Sequence, residues 1–171
     1  MYQKRKMRAK NNNSEEKSTN VGINWFPGHM AKTMKQIEQD LKLVDIVIEL
    51  LDARIPLSSQ NPNIHKLIGN KDKIIILNKS DLADEIENTR WIKYFAKQNI
   101  PAILFDSTKQ SDVSKIINKI NEIMQGERRK QEQKGRTNKI ARVMVLGIPN
   151  VGKSSFINRI SNKTAMQVGN K

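Results

Sequence analysis

The chain has 171 residues, with 31 Lys and Arg against 17 Asp and Glu, a formal charge of +14, two histidines and no cysteine. Disulfides and thiolate zinc sites are excluded, a second large domain does not fit, and there is no apolar run of the roughly 18 residues a membrane span needs. No membrane association and a cytoplasmic, soluble protein are therefore expected, with oxygen-liganded magnesium still open and a polyanion favoured as partner by the charge.

Residues 1–22 are polar, charged and Asn-rich without periodicity, and read as a disordered basic arm. The fold is expected to start near Ile23, with Trp25-Phe26-Pro27-Gly28 as a turn and a helix from His29 to Lys42 whose Met30, Met34, Ile37 and Leu41 share one face. DIVIELLD, 45–52, is an apolar run of strand length that fits a strand covered on both sides, and Asp52-Ala53-Arg54-Ile55-Pro56 leaves it as a loop. His65, on a short segment after Asn61-Pro62, reads as surface. KIIIL, 73–77, predicts a second strand and runs into Asn78-Lys79-Ser80-Asp81; 84–98 predicts a helix striped by Trp91, Tyr94, Phe95 and Gln98. PAILF, 101–105, is the third strand, ended by Asp106-Ser107-Thr108-Lys109, and Val113, Ile116, Ile117, Ile120 and Ile123 stripe the next helix, which turns basic after Gly126. ARVMVL, 141–146, is the fourth strand and leads into a helix over 153–161. Strands alternating with helices at this spacing predict an α/β fold: a mostly parallel sheet with helices on both faces and its ligand beyond the carboxyl ends of the strands.

Two polar motifs fall at those ends. Gly147-Ile148-Pro149-Asn150-Val151-Gly152-Lys153-Ser154 fits G-x-x-x-x-G-K-[ST] between a strand and a helix, the context of a phosphate loop. Its glycines admit phosphates to the backbone, the amides of residues 150–155 (Ser155 included) and the helix start supply positive potential, Lys153 reaches the β- and γ-phosphates, and Ser154 offers a hydroxyl to Mg²⁺. Such loops serve ATP and GTP alike, so the base is read elsewhere. A carboxylate at Asp81 accepts from guanine N1–H and the exocyclic amine together, whereas adenine leaves it unpaired. Lys79 would lie along the base plane, Asn78 would tie the loop, and the turn at Asp106-Ser107 would add backbone contacts from the other side. With the phosphate loop expected on a neighbouring strand, guanine is favoured over adenine.

WFPGHMAK at 25–32, DARIP at 52–56, NKSD at 78–81 and GIPNVGKSS at 147–155 together resemble the circularly permuted GTPases of the YlqF type. That resemblance spans the chain from about Ile23 onward. It implies a Ras-like P-loop GTPase fold in which the guanine-reading motif precedes the phosphate loop because the domain has been cut and rejoined. It also implies GTP and GDP as ligands, Mg²⁺ as cofactor, and a role in large ribosomal subunit assembly as an rRNA-binding GTPase; a monomer is expected. The threonine-bearing switch segment, two further strands, a D-x-P-G motif and a helical RNA-binding domain would follow Lys171, so residues 23–171 are expected to be an incomplete GTPase domain. Weak guanine-nucleotide binding, or none, by this segment alone is then expected, because ARVMVL would lack one neighbour.

By the same resemblance, His29 of GHM is the candidate catalytic group, against a helix-start residue packed near Trp25. Asn150 is a candidate K⁺ ligand, against a turn-forming Asn after Pro149. Asp52 and Arg54 read as structural or loop-positioning. The rival readings are a P-loop ATPase or kinase, and a non-hydrolysing nucleotide- or RNA-binding module.

Overall fold

The computed structural model describes the backbone of residues 28–133, 135 and 140–168, and side chains between Lys35 and Asn162 apart from Gln110, Glu127, Lys130, Gln131, Lys134 and 136–139. The expected arm over 1–22 and the aromatic turn at Trp25-Phe26-Pro27 lie outside the described residues. In chain order the elements are α1 (Gly28–Leu41), β1 (Ile46–Asp52), α2 (Pro62–Ile68), β2 (Asp72–Asn78), α3 (Glu85–Ala96), β3 (Ala102–Phe105), α4 (Gln110–Glu132), β4 (Val143–Leu146) and α5 (Lys153–Val168). The four described strands form one sheet in the order β3-β2-β1-β4, and every pairing is parallel.

β1 is buried along its whole length because both faces are covered. Ile46, Ile48 and Leu50 point into a core with Ile74 and Ile76 of β2, Phe105 of β3, Val113, Ile116 and Met124 of α4, and Phe156 of α5. Val47 and Leu51 face the other way, Val47 toward Leu41, Ile64 and Ile68 of α1 and α2, and Leu51 toward Phe95 of α3. Alternation of side chains along a strand produces this division, and it explains why β1 and β2 read as continuous apolar runs.

Several expectations change in detail. The segment carrying His65 is a helix, α2, capped by the Asn61 side chain, which accepts from Asn63 N–H, and opened by Pro62 at its first turn. A seven-residue helix has too few turns to generate a legible stripe. In α3 the helix stops at Ala96, Phe95 is buried and Tyr94 is exposed, so Gln98 and Tyr94 do not belong to the core stripe. β4 begins only at Val143, although the carbonyl of Arg142 accepts from the Asp45 and Ile46 amides, whereas α4 runs past Gly126 to Glu132 as a helix that turns basic there should. β4 pairs with β1 on one side and has no second strand beside it among the described residues.

Candidate functional site

Parallel pairing with β1–β2 and β1–β4 in register brings Asn78, Phe105 and Leu146 to one edge of the sheet, so all three polar loops leave from the same side. The phosphate loop is not on a strand neighbouring β2, as the spacing led one to expect. β1 intervenes, so the two loops start two strand spacings, about 10 Å, apart across the sheet, and Leu146 ends level with Ile75, three residues before Asn78. Side chains close that gap. Asn78 Nδ2 donates to the Val151 carbonyl at 2.8 Å, and Lys79 Nζ donates to the neighbouring Asn150 carbonyl at 3.3 Å.

The phosphate loop is shaped by close backbone approach. A Cβ at Gly147 would lie 2.7 Å from the Leu50 carbonyl oxygen, so only glycine lets the loop leave β4 flush against β1. Gly152 has φ +98°, and a Cβ there would lie 2.5 Å from Asn78 Nδ2. Asn150 is left-handed at φ 62°, a conformation Asn tolerates, which fits its reading as a turn residue. Val151 is buried and Phe156, at the first turns of α5, packs edge-to-face on Phe105 with ring centroids 5.0 Å apart. This contact ties the phosphate-loop helix to the strand that delivers Asp106.

Lys153 folds back over its own loop, donating from Nζ to the carbonyls of Gly147 at 2.9 Å and Ile148 at 2.7 Å. Burial lowers its pKa below the ordinary lysine value. Ser154 and Ser155 are exposed at the start of α5. One hydroxyl beside an anion site suits Mg²⁺, which binds through few protein oxygens and keeps waters and phosphate oxygens as its remaining ligands. Among the described residues no cluster of three or more His, Asp or Glu could hold a metal.

The base-side loop is a short 3-10 turn, Ser80–Leu82, entered by Lys79 in the left-handed region at φ 59°. Buried Asn88 of α3 supports it, donating to the Ser80 carbonyl at 3.0 Å, while Asp81 is exposed at the turn. On the far side, the Asp106 carboxylate accepts from Thr108 N–H at 2.8 Å and Thr108 Oγ1 at 2.7 Å, and Asp106 N–H donates to Asp112. The hydrogen bonds from Thr108, chiefly the hydroxyl, lower the Asp106 pKa, so this carboxylate shapes its own turn and leaves the exposed Ser107 facing outward.

Asp52 holds more than the sequence reading gave it. Its carboxylate takes Arg54 in a two-pronged ion pair, Nε at 2.9 Å and Nη2 at 2.7 Å, and also accepts from Lys79 Nζ at 2.9 Å. The Arg54 hydrogen bond is the main cause that holds its pKa well below the usual carboxylate range, against the opposing effect of burial. His29 sits in the first turn of α1, and its side chain lies outside the described residues. α1 is about 21 Å long and precedes β1, against which it packs through Ile37 and Leu41.

The family described as 50S ribosome-binding GTPase matches residues 142–171, the part that holds the phosphate loop. Ribosome biogenesis GTPase A of Bacillus licheniformis is 41% identical over 149 residues, covering 87% of this chain and 53% of the relative. The protein of the same name from Priestia megaterium is 43% identical over 150 residues, covering 87% and 52%. Mitochondrial ribosome-associated GTPase 1 of Mus musculus is 40% identical over 137 residues, covering 80% and 41%. The chain thus spans about half the length of the curated relatives it matches. A crystal structure of GNP-bound YlqF from T. maritima superposes with a TM-score of 0.54 at 31% identity, covering 75% of this chain and 47% of that one. Sequence and fold agree over most of this chain, and the chain belongs to the circularly permuted GTPases of the YlqF type.

Proposed function

We propose that this protein binds GTP and GDP at the edge formed by Asn78–Asp81, Asp106-Ser107 and Gly147–Ser155, hydrolyses GTP, and serves assembly of the large ribosomal subunit. The observation that carries the reading is the direct coupling of the base-side loop to the phosphate loop through Asn78 and Lys79. A mononucleotide needs both ends of its site held at a fixed separation, and two bonds from adjacent residues to adjacent carbonyls fix it. Asp81 accepts from the guanine edge, Lys79 lies along the base plane, and the phosphate-loop amides with Lys153 hold the phosphates. For Lys153 this means exchanging the Gly147 and Ile148 carbonyls for phosphate oxygens, a short swing of a side chain already at the loop. Mg²⁺, through Ser154, would neutralise phosphate charge when bound. His29, in the first turn of α1, is the proposed group that positions water, on the family resemblance of GHM; Asn150 is the proposed contact for a monovalent cation.

The ribosomal part of the reading is supported by the names of the relatives and by the basic charge, including Arg128 and Arg129 on α4. Counterion release makes contacts to rRNA phosphates salt-sensitive, so subunit binding is expected to fall steeply as salt rises. The test is displacement of a fluorescent GDP from the protein at its natural length by GTP or ATP, together with phosphate release. GTP is expected to displace it and ATP to fail by orders of magnitude, with Asp81→Ala removing the preference. Equal competition by ATP would move the assignment to a P-loop ATPase or kinase, and tight binding without phosphate release to a non-hydrolysing module.

A further inference from the structure

We infer that Asp52 is a positioning residue for nucleotide binding, one that fixes Lys79 over the base subsite and is itself held in place by Arg54. This rests on the guanine-nucleotide reading above and assigns a purpose to the DARIP segment, which neither motif at the site includes.

The loop after β1 is organised around this carboxylate. Asp52 N–H donates to Ser59 Oγ at 3.0 Å, and the same hydroxyl donates to the Pro56 carbonyl at 2.9 Å; Ser59 is fully buried. Ala53 N–H donates to the Asn78 carbonyl at 2.8 Å, so the loop is stitched to the end of β2 one residue before Lys79. Arg54 then wraps back, with its own N–H at 3.1 Å and its guanidinium in two contacts on the carboxylate. Such a planar, paired contact leaves the carboxylate one orientation, with Oδ2 turned to Lys79 Nζ.

Lys79 is the side chain that needs such a partner. It leaves a left-handed backbone position, and a long flexible stem there would sample many rotamers. With its ammonium held between Asp52 Oδ2 and the Asn150 carbonyl, the stem is stretched between the base-side loop and the phosphate loop, the place where a purine ring would lie. A fold that only needed a surface ion pair would not require a carboxylate that is 5% exposed, and burying it is unfavourable unless it is fully partnered.

The assignment is tested on the protein at its natural length by comparing GDP with tripolyphosphate, which occupies the phosphate loop and carries no base. Asp52→Asn is expected to weaken GDP about tenfold, the scale of one charge-assisted hydrogen bond, and to leave tripolyphosphate unchanged. Lys79→Met keeps the stem and loses the anchored head, so adding Asp52→Asn to it is expected to cost nothing more. Arg54→Ala, at a residue whose side chain is 47% exposed, tests the same arrangement without altering the buried acid; a smaller loss selective for GDP is expected. Unchanged GDP affinity in Asp52→Asn or Arg54→Ala overturns the inference. So does a parallel loss of GDP and tripolyphosphate, or additive losses in the double variant. Failure of the wild-type protein to prefer GDP over ADP is a different result: it removes the guanine reading, and this assignment with it.

Discussion

The side-chain amide of Asn78 donates to the main-chain carbonyl of Val151 across 2.8 Å, although the two residues are 73 positions apart in the chain. That bond spans the intervening strand β1 and joins the loop proposed to read the base to the loop proposed to hold the phosphates. It also explains Gly152, since any side chain there would collide with the same amide at 2.5 Å.

Gly152→Ala is expected to destabilise the fold by about 1–3 kcal/mol from backbone strain at its positive φ alone, with a further loss from the clash with Asn78. Combining it with Asn78→Ala should recover the clash and leave the strain. Urea denaturation of the two single variants and the double variant reads the difference as non-additivity. Equal effects of Gly152→Ala in both backgrounds would remove the steric account.

Glu49 is fully buried in the middle of β1; its Oε2 lies 3.1 Å from Lys73 Nζ and 3.8 Å from His65 Nε2, and its Oε1 has no hydrogen-bond partner among the described residues. Lys73→Met is expected to cost about 3–5 kcal/mol, because it strands a buried carboxylate. Pairing it with Glu49→Leu should return most of that stability, since an apolar pair of similar size suits a strand covered on both faces. Melting curves of the single and double variants check this, and a double variant no more stable than Lys73→Met would refute it.

Asp52 has a folded-state pKa below its unfolded value, chiefly because of Arg54. Its stabilising contribution is therefore complete above the ordinary carboxylate range and is lost as pH falls through the depressed folded value. Asp106, lowered by Thr108, acts in the same direction. Urea midpoints are expected to be insensitive to these two groups above about pH 5 and to fall in more acidic solution. Asp52→Asn should flatten that acid limb. An unchanged limb would show that the Arg54 pairing contributes nothing to stability.

Lys153 shifts the other way in consequence. Burial makes its free ammonium lose a proton more readily than an ordinary lysine, while phosphates would favour the charged form. Nucleotide binding in alkaline solution is then coupled to proton uptake, and affinity should fall with rising pH by at most about tenfold per unit. Calorimetry in buffers of different ionisation enthalpy measures the proton directly. Lys153→Arg, which stays charged, is expected to lose this dependence.

Much of the fold was legible because its strands are buried on both faces. Apolar runs at 45–52 and 73–77 favour a parallel sheet covered by helices, and the four strands, α1 and α3 fall within a few residues of their sequence boundaries, while α5 runs on past its expected end. Helix α2 was not legible, since seven residues with a proline at the start carry too little periodicity. Tyr94 was misplaced because spacing of three and four does not reveal which side of a stripe turns outward at a helix's end.

Local chemistry alone picked out the loops: glycines, a lysine and a serine between a strand and a helix have the pattern of an anion site, and Asp81 after an apolar strand is the acceptor proposed to read the base. Only tertiary structure decided that β1 separates the two loops, that Asn78 and Lys79 reach across it, and that Asp52 holds Lys79 from below. Strand order and side-chain reach are properties of the assembled sheet, set by pairings between residues far apart in the chain, and no periodicity within one segment records them.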